Sequence, residues 1–144
     1  MNTHKVAIVT AASRGIGAGC ARELAAQGYT VSLMARSESI FDLAKELDGI
    51  ATQGSISSPE DLERLVGTTL TQFGRIDAVV NSFGDPPRPD LLEIDDAMWQ
   101  ENFEMLLMSV VNTSRLTTNR KTRTVGNWGI RGLGLNHFPK SLNP

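Results

Sequence analysis

The stretch "IVTAASRGIG", residues 8–17, decides the fold. A β-branched run gives way to small residues. Gly15 and Gly17 then open a segment whose apolar positions Ile16, Cys20, Ala21, Leu24 and Ala25 recur at helical spacing. Just upstream, "KVAIVT" (5–10) is almost continuously apolar and β-branched, which predicts a strand buried on both faces of a parallel sheet. Gly28 supplies the stop after the helix. A strand that turns straight into a helix is the start of a β-α-β unit.

Working outward, the same alternation continues. "YTVSLMA" (29–35) reads as a second strand and "SESIFDLAKEL" (37–47) as a short amphipathic helix. "GIATQGSI" (49–56) reads as a weaker third strand. "SSPEDLERLVGTTLTQFG" (57–74) opens with a serine N-cap, Pro59 and two acids at the positive end of the helix dipole. Leu62, Leu65, Val66, Thr69, Leu70 and Phe73 form its one apolar face. "RIDAVVNSFG" (75–84) is a fourth strand, followed by the proline-rich "DPPRPD" and a long helix over 95–115 carrying Trp99, Phe103, Leu106, Leu107, Val110 and Val111. Strands alternating with helices imply an α/β fold with a parallel sheet, right-handed crossovers and helices on both faces.

Charge divides the chain of 144 residues. Residues 1–114 hold 8 Lys and Arg against all 16 acids, whereas residues 115–144 hold 6 basic residues and no acid. Periodicity fails at the same place. The reading is therefore a domain over 1–115 and an irregular basic tail over 116–144, with at most a short strand at Thr124–Val125. Apolar runs fall far short of the roughly 20 residues that span a bilayer, no signal-like h-region opens the chain, and the single Cys20 cannot form an internal disulfide. A cytoplasmic protein with no membrane contact is expected. The tail has few aromatics to interleave with its charges, so nucleic acid is an unlikely partner and a solvated tail is the expectation.

In a doubly wound sheet, ligands sit at the carboxyl ends of the strands, and the turn leaving the first strand lies there. Small residues let a backbone approach a pyrophosphate, and the amide groups and dipole of the following helix favour an anion. A Walker-type loop is excluded because no G-K-[ST] occurs. Nineteen residues beyond Gly17, just past the second strand, comes Arg36, with Arg14 as a second cation. An acid at such a place accepts from a free ribose 2′-hydroxyl, whereas a guanidinium suits a 2′-phosphate, so NADP(H) is expected over NAD(H). His4 and His137 stand at opposite ends and suggest no metal cluster.

"TAASRGIG", "MARS" and "NSFG" together resemble the short-chain dehydrogenase/reductase family, whose patterns are T-G-x-x-x-G-x-G and N-N-A-G. The resemblance implies a partial Rossmann-type sheet in the order 3-2-1-4 and a nicotinamide cofactor. It also implies descent from oxidoreductases acting on a carbonyl or alcohol. By position, Thr10, Ser13, Arg14, Gly15, Ile16 and Gly17 would line the pyrophosphate and adenosine side. Arg36 and Ser37 would meet the 2′-phosphate, and Asn81 and Gly84 would border the nicotinamide ribose. Ala11 replaces the first glycine, which is tolerable if its φ is negative. Ser82 and Phe83 replace the second Asn and the Ala of N-N-A-G, Ser55 replaces an acid near the adenine, and Leu106 stands where a relay Asn is expected.

The family's catalysis uses a Ser and a Tyr-x-x-x-Lys, and the sequence has neither in place. Its one tyrosine, Tyr29, is followed four residues later by Leu33. The chain is expected to be catalytically silent, with no catalytic residue assigned, and its basic tail to be the product of a shifted frame, a splice variant or a truncation. The alternative expectation is a partner-binding or dimerising fragment. It would use helix 95–115 to form a homo-oligomer or to join a full-length family subunit.

Overall fold

A computed structural model describes residues 4–84 and 89–119. The elements follow in the order β1 (Val6–Val9), α1 (Gly15–Ala26), β2 (Thr30–Ala35), α2 (Ser39–Glu46), β3 (Ile50–Gln53), α3 (Pro59–Phe73) and β4 (Ala78–Val80). A 3-10 turn, Leu91–Glu93, leads to α4 (Asp96–Phe103), a π-helical turn (Glu104–Met108) and α5 (Ser109–Asn119). All strand pairs are parallel, in the order β3-β2-β1-β4, which is the expected sheet.

The period of two along the strands sorts the core into two layers. Val9, Val31, Leu33 and Ala35 face α1 and α2, packing on Ala18, Ala21, Ile40, Leu43 and Ala44. Ile8 and Met34 point the other way onto Leu62, Leu65 and Val66 of α3, with Leu116 of α5 at the margin. Each fully buried Val, Leu, Ile or Met among them contributes about 1.5–3 kcal/mol by removal from water. A polar pair beside this second layer, Ser32 and Thr69, is satisfied: the two share a hydroxyl hydrogen bond of 2.7 Å, and Thr69 also donates to the Leu65 carbonyl. Cys20 packs half-buried against the first layer, as its place in the helical pattern implies.

Strand ends are where the structure departs from the sequence reading. β4 is three residues long rather than ten, because polar side chains and turns claim both flanks. Asp77 accepts from the Val6 amide at 2.8 Å and from the Arg75 guanidinium at 2.8 and 2.6 Å, which fixes where β4 starts against β1. At the other end the Thr10 hydroxyl clamps Ser82. The long helix is broken by the π turn and runs on to Asn119, four residues past the expected domain edge, so 116–119 are helix rather than irregular tail. The remainder of the expected tail, 120–144, with Thr124–Val125 and His137, lies outside the described residues, as does 85–88 of the proline-rich loop.

The turn after β1 is strained. Ala11 has φ +47°, in the left-handed region that suits glycine, so the condition under which an alanine would be harmless there is not met. Neighbouring bonds over-determine it. Thr10 N–H donates to the Val80 carbonyl at 3.1 Å and Ala12 N–H to the Met34 carbonyl at 3.0 Å, pinning both flanks to adjacent strands.

Two predictions follow from these strand ends. Ala11→Gly removes a left-handed penalty of about 1–2 kcal/mol against a glycine entropy cost of about 0.5–1, so the urea midpoint should rise slightly with an unchanged slope. A fall would show that the strain is absent. Asp77→Ala strips the partner from the Val6 amide and should cost about 1–3 kcal/mol in the same measurement. Burial pushes the Asp77 carboxyl up, but the hydrogen bonds from Arg75 and Val6 outweigh it and hold the group below its ordinary value. Its folded pKa is therefore depressed. The stability it adds is complete above the unfolded carboxylate value of about 3.9 and is lost as pH falls through the lower folded one. Asp77→Ala should accordingly narrow its gap to the parent chain under strongly acid conditions.

Candidate functional site

The residues singled out in the sequence gather at one end of the sheet. Thr10 and the turn after it leave β1, Arg36 and Ser37 leave β2, and Asn81 to Gly84 leave β4, all at carboxyl ends of parallel strands. The turn places the N-terminus of α1 among them.

That N-terminus is bare. Arg14 occupies the N-cap position in extended conformation with no side-chain cap, and the first turn of α1 holds no acid. The contrast with α3 and α4 is informative. Ser58 accepts from the Asp61 amide and is followed by two acids, while Asp95 accepts from the Met98 amide. Helix starts carry N–H groups without intrahelical partners and a partial positive charge. In α3 and α4 the chain answers this with its own oxygens. In α1 it does not.

The two glycines of the turn do different things. Gly15 has φ +58°, and a Cβ placed on it would meet nothing within 4 Å, so its backbone borders open space. Gly17 is buried, and a Cβ there would lie 2.5 Å from the Ala11 carbonyl oxygen. The first leaves open space beside the helix start, and the second lets the helix pack against the strained turn. Ile16, which the resemblance placed among the residues lining the pyrophosphate and adenosine side, is 82% exposed at this mouth. An uncapped helix start, no acid in its first turn and open space beside Gly15 are the features that favour an anion.

Thr10 is 2% exposed, and its hydroxyl is committed. It donates to the Ser82 carbonyl at 2.9 Å and accepts from the Ser82 amide at 3.0 Å. It thus ties the β1 and β4 exits together, leaving Ser13, half-buried beside it, as the hydroxyl nearer the surface. Arg36 is exposed, and its Nη2 lies 3.8 Å from where a Cβ of Gly84 would be. With β1 lying between β2 and β4, the guanidinium therefore lies at the end of the sheet from which the glycine turn leaves. Its carbonyl accepts from Gln53 at 2.9 Å. Ser37 bonds Ser39 through its hydroxyl at 2.9 Å and so helps start α2.

One participant escaped the sequence reading. Asp61 was visible only as a first-turn acid, yet its carboxylate accepts from the Ser55 amide at 2.8 Å and pairs with Arg64 at 2.8 Å. The Ser55 N–H is the chief cause that holds its carboxyl below the usual range. An acid thus stabilises the turn after β3 even though Ser55 itself is not one. No periodic signal marks such a contact, because it joins a turn to the helix that follows. Among the described residues there is no cluster of three or more potential metal ligands, and no helix is long and apolar enough to cross a membrane.

Known proteins share this frame. A model of the short chain dehydrogenase family matches residues 5–127. Dehydrogenase/reductase SDR family member 4 of Caenorhabditis elegans is 39% identical over 111 residues, covering 70% of this chain and 42% of that protein. The putative ketoacyl reductase of the monensin polyketide synthase from Streptomyces virginiae is 36% identical over 134 residues, covering 87% and 51%. The chain thus spans about half the length of the curated relatives it matches. Among solved structures, L-sorbose reductase of Gluconobacter frateurii complexed with NADPH and L-sorbose superposes with a TM-score of 0.72 at 28% identity, over 81% of this chain and 47% of that one. A variant of actinorhodin polyketide ketoreductase with NADPH gives 0.75 at 28% identity, over the same shares. The family match takes in every strand and helix from β1 to α5 and reaches 12 residues beyond the charge break at Arg115. On that extent the chain belongs to the short chain dehydrogenase family.

Proposed function

We propose that the chain binds NADP(H) at the end of the sheet where β1 turns into α1, and that it does so without catalysing a reaction by itself. The observation that carries the reading is the start of α1, which has no capping side chain and no acid in its first turn. Amides of residues 13–17 would hold the diphosphate, with Gly15 bordering it and Ile16 against the adenosine side. Arg36, helped by Arg14 and Ser37, would take the 2′-phosphate, and Asn81 and Gly84 would border the nicotinamide ribose. Two relatives solved with NADPH support this choice of cofactor. When bound, a nicotinamide supplies hydride to a carbonyl or accepts it from an alcohol, the chemistry of the family.

What this chain's own residues do is hold and orient. Proton transfer to a substrate oxygen needs a group whose pKa lies near working pH, whereas an unassisted tyrosine titrates near 10. Tyr29 sits between α1 and β2, close to Lys5, whose ammonium is 5.8 Å from its ring, away from the strand ends that carry the site. The catalytic half is therefore to be sought in other sequence, and a longer protein containing these residues would be a carbonyl or alcohol oxidoreductase. A second reading, contact with a homo-oligomer or a full-length subunit through helix 95–115, has support from the apolar side chains that α4 exposes, Trp99 and Phe103 among them.

Fluorescence titration tests the cofactor reading. NADPH should bind more tightly than NADH. Arg36→Glu should weaken NADPH by about 1.5–3 kcal/mol, on the order of tenfold to a hundredfold, and leave NADH nearly unchanged. Gly17→Val should remove both by displacing the turn. Equal affinity for the two dinucleotides in the parent chain would refute the role of Arg36. Turnover of NADPH with a panel of carbonyl compounds should stay at the uncatalysed rate, and saturable reduction would refute catalytic silence.

A further inference from the structure

The end of β3 is gripped by α3 on both sides of one glycine. Arg64 Nη2 donates to the Gln53 carbonyl at 2.7 Å and pairs with Asp61 Oδ1 at 2.8 Å. The other carboxylate oxygen of Asp61 accepts from the Ser55 amide at 2.8 Å. Between the two held peptide groups lies Gly54, and a Cβ placed on it would sit 2.7 Å from the Asp61 Cγ. The carboxylate therefore rests on bare backbone. With Arg64 53% exposed, its ion pair with Asp61 adds little to stability. What the pair adds is a fixed position for the peptide groups at Gln53 and Ser55.

That position is handed on to β2. Gln53 pairs in register with Ala35, and the Gly54 amide donates to the Ala35 carbonyl at 2.9 Å. The strand register ends at this pair, yet the next carbonyl along the chain is also taken. The Gln53 side chain Nε2 donates to the Arg36 carbonyl at 2.9 Å, so a side chain extends the hold one residue past the strand. The Arg36 guanidinium itself is in no ion pair among the described residues. Its backbone is held while its charged end stays available. An arginine carries much rotamer freedom, and fixing the peptide from which it departs lowers the ordering that binding must still supply.

We propose that Gln53 and Arg64, with Asp61 behind them, are positioning residues for the Arg36 guanidinium. They thereby set how strongly the chain favours a dinucleotide with a 2′-phosphate over one without it. In this role none of the three touches the phosphate. They act through the Arg36 peptide, in the order Asp61, Arg64, Gln53, Arg36. The inference rests on the proposed role of Arg36 in NADP(H) binding and names what sets the strength of that role.

Gln53 and Arg64 are both exposed, so each tolerates substitution, and fluorescence titration of the full chain tests them. Gln53→Met and Arg64→Met should each weaken NADPH by about two- to tenfold, the worth of one hydrogen bond. NADH affinity should stay unchanged, which a general loss of structure would not allow. Arg64→Lys retains a donor toward the Gln53 carbonyl and should recover most of the loss. In an Arg36→Met background, Gln53→Met should bring no further loss. A second readout needs no cofactor. In proton–nitrogen spectra of the free chain, Arg64→Met should shift the Ser37 amide, which shares its peptide with the Arg36 carbonyl. A parent chain that binds NADPH and NADH equally overturns the reading of Arg36 and this inference with it. A parent that prefers NADPH, with both variants keeping that preference, overturns the positioning role alone. Equal loss of both dinucleotides in either variant, or an unmoved Ser37 amide in Arg64→Met, overturns that role as well.

Discussion

Among the described residues no side chain caps the amide groups that open α1, and the turn before them is arranged around that fact. The starts of α3 and α4 are closed by Ser58 and Asp95, whereas α2, like α1, has no side-chain cap but carries an acid, Asp42, in its first turn. Leaving the first turn of α1 open forgoes about 1 kcal/mol of capping and exposes a partial positive charge. The exposure is useful only if the helix start is presented rather than buried. Parallel pairing of β1 with both β2 and β4 does this, because it brings three strand exits to one end and leaves the turn between them.

Holding that turn takes several separate bonds. Thr10 joins the β1 exit to Ser82, Ala12 is bonded to Met34, and Gly17 is packed so closely behind Ala11 that no side chain fits. Between these anchors Ala11 adopts a backbone conformation that an alanine resists. Strain of this kind persists where the surroundings fix it, and such places often serve a ligand. The clamp at Ser82 also ties this turn to the β4 exit.

Most of this was legible in the chain because it rests on short-range pattern. The β-branched run 5–10, the glycines at 15 and 17 and the serine before Pro59 each carry a local physical requirement, and the sheet order followed from the resemblance. What was not legible depends on bonds between elements. The length of β4 is set by the side chains of Asp77 and Thr10 reaching other strands, and the sign of φ at Ala11 by two backbone bonds to neighbours. The pairing of Asp61 with the Ser55 amide is likewise invisible to periodicity. Ile16 fitted the apolar helical spacing and yet is exposed, which periodicity alone does not reveal. Within the site, the hydroxyl of Thr10, read as a ligand contact, is bonded to the Ser82 backbone, a contact between strand exits that the sequence pattern does not announce.

Amide resonances of the full chain, followed in two-dimensional proton–nitrogen spectra while NADPH is added, test the central claim most directly. The account predicts saturable shifts largest at Ser13, Arg14, Gly15, Ile16 and Gly17, with inorganic pyrophosphate moving the same set more weakly. Shifts that spare those five residues, or that concentrate at the capped start of α3, would contradict it.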